Sequence, residues 1–182
     1  MISPVIERQL ELRELASGIQ RSFRDAPIYR IRFPRGTMLF KLTGNRAVGQ
    51  DGRVVPRETG LVSPWWFNYE TVRAAFTGQQ YVLPGIADYC ERANRLPVDI
   101  VLFLRSRGAV SLDWNCMTHL LVVELTRETV GAAGDCSGQQ IVDDPKLRPA
   151  HLYNVRFIGG AKQLYLPGLQ PSDLNVATYG PI

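Results

Sequence analysis

Along the first 24 residues, Ile6, Leu10, Leu12, Leu15 and Ile19 recur at roughly helical spacing with Glu and Arg between them. Ser3 followed by Pro4 supplies a capping hydroxyl and a residue tolerated in a first helical turn. This pattern predicts an amphipathic helix over residues 4–24, laid on the rest of the chain as a lid or brace. The period then changes to two. Tyr29, Ile31 and Phe33 alternate with Arg30 and Arg32, so residues 28–33 and 38–42 read as strands on either side of a Pro34, Arg35, Gly36 turn. Residues 43–60 are polar and rich in Gly and charge, with Asp51 and Gly52 as a turn, and predict a loop or loose hairpin.

Gly60 to Ser63 reads as a short apolar strand running into Pro64, Trp65, Trp66, Phe67, Asn68 and Tyr69, which places four aromatics within five positions. One face cannot hide all four, so some enter the core and others line a pocket or stack on a ligand. Helices are expected over 70–77 and 86–95, bounded by Pro84 and Pro97. Residues 99–104, 119–125, 154–158 and 163–166 read as strands, the last two around a Gly159, Gly160, Ala161 bend. Short strands behind a helical N-terminal region predict an α+β fold. A length of 182 residues suits one core, so residues 1–182 are expected to form a single domain, with the N-terminal helix in 1–25 and the core in 26–182.

Composition narrows the chemistry. A net charge of +4 suits an anionic small ligand and does not indicate a dedicated nucleic-acid binder. Cys90, Cys116 and Cys136 make no CxxC pair, and His119 and His151 make no HxxxH or HxE pattern, so no metal site is expected and a reducing, cytoplasmic setting is. Asp143 and Asp144 are read as a solvated loop. No apolar run reaches the roughly 18–20 residues of a membrane span, and the acidic start, with Glu7, Glu11 and Glu14, is not that of a secretory signal. There is no GxGxxG, no GxxxxGK[ST] and no GxSxG, which leaves Rossmann, P-loop and serine-hydrolase readings without their loops. His119, opening an apolar strand, is read as structural, and Trp114 as core.

What remains is a set of dispersed pieces: Leu39 to Thr43; Gly60 to Ser63 running into Pro64, Trp65 and Trp66; Trp114 to Thr118; and Phe157 to Pro167. In this order, over roughly residues 36–170, they resemble the ADP-ribosyltransferase fold of the catalytic domains of bacterial polymorphic toxins. The resemblance implies a split β-sheet core that binds NAD as a substrate. By it, Lys41 would hold the pyrophosphate, Ser63 with Trp65, Trp66 and Tyr69 would shape the nicotinamide pocket, and Gln163 would act at the nicotinamide ribose. A cation offsets a diphosphate, an aromatic wall stacks on a planar ring, and a fixed polar group orients a ribose as positive charge develops on it.

Two positions depart from the family. Lys41 stands where Arg is common, which gives a point charge in place of a planar fork, with Arg30, Arg32 or Arg35 as other sources of a guanidinium. Gln163 stands where a transferase usually carries Glu, and an amide cannot serve as a base. The expectation is therefore an NAD glycohydrolase acting as a toxin or effector inside a target cell, with a cognate immunity protein as a partner. Transfer of ADP-ribose to a macromolecular acceptor, with the acid supplied by Glu58, Glu70 or Glu124, is the second expectation. A non-catalytic nucleotide-binding module is the third.

Overall fold

The computed structural model describes residues 3–24, 27–44, 46–48 and 54–182. The chain is mixed α and β and mostly strand, around an eight-stranded antiparallel sheet. Its first element, β1 (Val5–Leu10), pairs antiparallel with β2 (Ile28–Phe33), and this overturns the expected helix over 4–24. The charges that looked like the polar face of a helix are cross-strand partners: Glu7 meets Arg30 at 2.8 Å and Arg32 at 3.1 Å. Only a 3₁₀ turn at Leu12–Glu14 and the four-residue α1 (Ser17–Gln20) are helical there. The same apolar residues are still used, since Leu10, Leu12, Leu15 and Ile19 pack around buried Phe23 and Ile28.

The strand β3 (Met38–Thr43) follows as expected. In the polar stretch, β4 (Arg46–Val48) pairs with β5 (Val54–Pro56), which makes the loose hairpin; its Asp51–Gly52 turn lies outside the described residues. The expected strand at 60–63 is instead the end of a short helix, α2 (Glu58–Leu61), so Ser63 sits on the connection into β6 (Trp65–Asn68). Residues 70–77 are not helical either. Val72, Ala74 and Phe76 are half-buried while Arg73 and Ala75 are exposed, the period of strand β7 (Val72–Phe76), which turns through Thr77 and Gly78 into β8 (Gln79–Leu83). Both turn residues have positive φ, as a two-residue hairpin connection requires.

Helix α3 (Ile86–Arg95) forms where expected, whereas residues 99–104 enter a helix, α4 (Ile100–Arg107). Asp99 caps it, its carboxylate accepting from the Leu102 N–H at 2.8 Å, and this cap outweighs the β-branched run that reads as a strand. Strands β9 (His119–Leu125) and β10 (Thr129–Asp135) come next, then β11 (Lys162–Tyr165) and β12 (Leu174–Pro181). Residues 154–158 carry only an isolated bridge, Gln140 with Arg156.

The order in the large sheet is β1-β2-β10-β11-β6-β3-β9-β12. Its two halves meet through β6 alone, whose Trp65 and Trp66 pair with β11 while Phe67 and Asn68 pair with β3. Beyond those contacts β3 and β11 run on without a shared neighbour, and a gap opens in the sheet. One face of the sheet, with Leu39, Trp66, Leu121, Val123 and Leu164, is covered by the β7–β8 hairpin. The opposite face, with Phe40, Phe67 and Val122, packs on Tyr89 and Ala93 of α3 and on Phe103 and Leu104 of α4. Among the described residues no helix is long and apolar enough to cross a membrane.

Candidate functional site

At the gap in the sheet lies a cavity of about 270 Å³. It is lined by Lys41 from β3, Ser63 and Trp65 from the entry to β6, Gln163 from β11, and residues of the segment between α4 and β9, including Trp114 and Asn115. Four of the six residues singled out from the sequence therefore share one cavity, although they span positions 41 to 163. The other two do not reach it. Trp66 points to the opposite side of β6 and is 0% exposed in the core, and Tyr69 packs edge-on against Phe40 beyond the end of the strand. Alternation along β6 explains the correction at Trp66: Trp65 and Phe67 face the cavity, whereas Trp66 lies on the other side and meets it only through Lys41, whose ammonium rests on the Trp66 ring.

Lys41 is the only charged side chain among the described residues lining the cavity. It is 7% exposed, its ammonium lies 3.6 Å from the centre of the Trp66 ring, and it donates to the Ser63 carbonyl at 3.4 Å. Among the described residues no carboxylate pairs with it, and burial pushes its ammonium down to about 7. Lys162, next to Gln163, is by contrast held by Asp135 at 2.6 Å. Trp66 thus forms the apolar bed of the lysine in place of a wall for a ligand. Glu58, Glu70 and Glu124 do not line the cavity, nor do Arg30, Arg32 and Arg35.

Gln163 is nearly buried, and its Oε1 accepts from the Cys136 thiol at 3.1 Å. Burial raises the Cys136 pKa far above neutral, so the thiol keeps the proton it donates. Since the carbonyl end of the amide is engaged, its NH₂ end is the one left for a ligand. Trp65 is wedged between Phe23 and Tyr165, with ring centres 5.8 and 4.9 Å away, which fixes its plane at the cavity edge.

The far wall is the segment 108–117, and here the structure corrects the reading of Trp114 as core. Trp114 is 51% exposed, with its indole N–H directed to Asp143 at 3.2 Å, and it is a second tryptophan in the lining of the cavity. The segment is held rigidly. The Arg105 guanidinium donates to the carbonyls of Val110, Ser111 and Asn115, the last at 2.8 Å. Asn115 donates to the Leu42 carbonyl at 2.9 Å and accepts from the N–H groups of Gly44 and Met117, which ties the wall to the end of β3. Ala109 and Met117 both have φ of 52°, a left-handed conformation that costs energy in a non-glycine residue and clusters at binding sites. The short polar segments that carry Trp114 and Asn115 offered little periodicity to mark them as a wall, and their one sequence signal was their place in the resemblance.

His119 is buried and stacks on Tyr179 at 5.1 Å, away from the cavity. Among the described residues no group of three or more His, Cys, Asp or Glu is placed to hold a metal ion. Chemically, the described residues of the site offer one desolvated cation, two tryptophan rings and an oriented amide, and no carboxylate among them lines it. Such a set is chemically suited to an anionic ligand with a planar part. In comparison with known proteins, the chain matches no family model, no curated protein and no solved structure.

Proposed function

We propose that the chain is an NAD-consuming domain of ADP-ribosyltransferase-like architecture that cleaves the nicotinamide–ribose bond with water as acceptor. The observation that carries this reading is the convergence of Lys41, Ser63, Trp65 and Gln163 on one cavity. The antiparallel sheet, parted around β6, supports the split-sheet architecture that the resemblance implies. Lys41 binds the pyrophosphate, and no carboxylate among the described residues competes for its charge. The nicotinamide lies between Trp65 and Trp114, which takes the place first given to Trp66 and Tyr69. A cavity of about 270 Å³, just below the ~300–1,000 Å³ of small-molecule sites, holds the reacting half of a dinucleotide and leaves the other half at its mouth.

Gln163 presents its NH₂ to the ribose oxygens and orients the sugar while the C–N bond breaks. Nicotinamide leaves as a neutral base with the bonding electron pair, water adds to the ribosyl cation, and the released proton passes to solvent. The lining, with no carboxylate among its described residues, favours hydrolysis over transfer, because transfer to a macromolecule calls for a base to activate the acceptor. The test is release of nicotinamide from NAD by the purified protein beside Gln163→Ala, with free and macromolecule-bound ADP-ribose separated. The expected result is free ADP-ribose, reduced at least about 100-fold in the variant. Release that is unchanged in the variant would remove Gln163 from the mechanism, and no release by the parent protein would overturn the enzymatic reading.

A further inference from the structure

A second cavity, of about 310 Å³, lies between α3, α4 and the Gly160–Ala161 bend, and the proposed reaction does not use it. Its floor is Tyr89 and Phe103, and its rim carries three guanidinium groups, those of Arg92, Arg95 and Arg107. Arg95 is engaged by Glu91 one turn earlier in α3. Among the described residues no carboxylate lies within ion-pair distance of Arg92 or Arg107, although the field of Asp88 reaches Arg92. A fourth guanidinium, that of Arg24, stands directly behind Gly160, where it donates to the Ile158 carbonyl at 2.6 Å. Like charges gathered around one hollow repel each other, and the ring of Tyr89, 6.0 Å from the Arg92 guanidinium, supplies only part of what an anion would. The attraction of Arg92 and Arg95 to the C-terminus of α3, and of Arg107 to that of α4, offsets part of that repulsion.

We propose that this cavity is a binding site for a phosphorylated small molecule, with a phosphate or diphosphate group gripped by Arg92, Arg95 and Arg107. Guanidinium forks pair two oxygens at a time, and three of them around one hollow exceed what a single carboxylate can satisfy, whereas a diphosphate presents enough oxygens for all three. The aromatic floor suits a ligand whose remainder is planar or apolar. The choice of residue is consistent with this chemistry: the chain has 18 Arg and 3 Lys, and none of the lysines lines this cavity.

The cavity shares a wall with the candidate active site. The Arg107 carbonyl accepts from the Ala161 N–H at 2.9 Å, Gly108 next to Arg107 lines the first cavity, and Ala161 lies two residues ahead of Gln163. An anion seated on Arg107 therefore bears on the backbone that carries Gln163.

The test is isothermal titration of the full chain with inorganic pyrophosphate at low salt, run on the parent protein, on Lys41→Met, on Arg92→Gln/Arg107→Gln and on Arg13→Gln/Arg156→Gln. The last pair removes the same two charges elsewhere. The expected result is two binding events, one lost in Lys41→Met and the other weakened at least about tenfold in Arg92→Gln/Arg107→Gln. Equal weakening by the two arginine pairs would reduce the effect to net charge and overturn the proposal. So would binding in Arg92→Gln/Arg107→Gln that matches the parent protein. A single event abolished by Lys41→Met alone would also refute this site while leaving the Lys41 assignment standing. Retention of two events in Lys41→Met would instead count against the reading of the first cavity.

Discussion

Two buried cations stand near the same cavity and are treated in opposite ways. Arg105, on the last turn of α4, is surrounded by carbonyl oxygens, donating to Val110, Ser111 and Asn115. Lys41, on β3, has one carbonyl at 3.4 Å and the face of Trp66. A buried cation that donates to three carbonyls is a structural tie, and the strained segment 108–117 is what it ties. A buried cation without an anion is a cost that the fold carries, and such costs concentrate where a ligand is to supply the missing charge. The comparison separates scaffold from site more sharply than burial does, since both side chains are more than nine-tenths hidden.

The largest expected effect is at Lys41. Its ammonium titrates at about 7 against 10.5 for an ordinary lysine, because burial strips its hydration. At ~1.4 kcal/mol per pH unit, less what the Trp66 ring returns, Lys41→Met should stabilise the fold by about 3 kcal/mol at neutral pH. Urea unfolding at pH 7 checks this, and a destabilised variant would mean that the lysine is a structural tie after all. The pH dependence sharpens the point. Between about pH 7 and 10.5 the unfolded chain holds a proton on Lys41 that the folded chain has released, so stability from this residue rises with pH across that window. The rise should be absent from Lys41→Met. Binding of an anion runs the other way, strongest below pH 7, where Lys41 is charged in the folded state.

Arg105 should respond with the opposite sign. Arg105→Leu leaves three carbonyl oxygens without their shared donor and should cost roughly 2 kcal/mol or more, with the loss centred on the 108–117 segment. Hydrogen exchange at the Val110 and Trp114 amides reports that directly, since the Val110 N–H is bonded to the Arg105 carbonyl and the Trp114 N–H to Ser111. Unchanged protection there would end the claim that Arg105 holds the wall.

Much of this division could be read in the sequence, for reasons that differ by region. Strands β2, β3, β9 and β11 and helix α3 are visible because their own apolar periods match their final state. Strand β10, TVGAAGD, is invisible by propensity. It lies between β2 and β11, and a Cβ at Gly131 would come within 2.5 Å of the Tyr165 carbonyl and closer still to the Leu166 side chain, so close neighbours take the room that a side chain would need. Strand β1 was misread because cross-strand ion pairs and helical i, i+4 pairs put the same residue types in the same neighbourhood. For the candidate site, the resemblance named Lys41, Ser63, Trp65, Trp66, Tyr69 and Gln163, of which four line one cavity. It could not decide which of two adjacent tryptophans faces the cavity, nor that an exposed Trp114 would join the lining, because both depend on the register of β6 and on a segment fixed by Arg105 rather than by its own pattern.

The smallest expected effect isolates the scaffold from the site. Asp99 caps the start of α4, the opposite end from Arg105, and its carboxylate satisfies the Leu102 N–H. Asp99→Ala should cost about 1 kcal/mol, the ordinary worth of an N-cap. The loss enters one end of α4, while the hydrogen bonds at the other end still fasten 108–117 to Arg105 and, through Asn115, to β3. Global stability by urea unfolding should therefore fall while affinity for an anion at Lys41 stays within about twofold. If affinity instead falls in step with stability, the wall is held by α4 as a whole. Arg105 would then be one contact among many, and the contrast between the tied cation and the free one would not explain how this cavity keeps its shape.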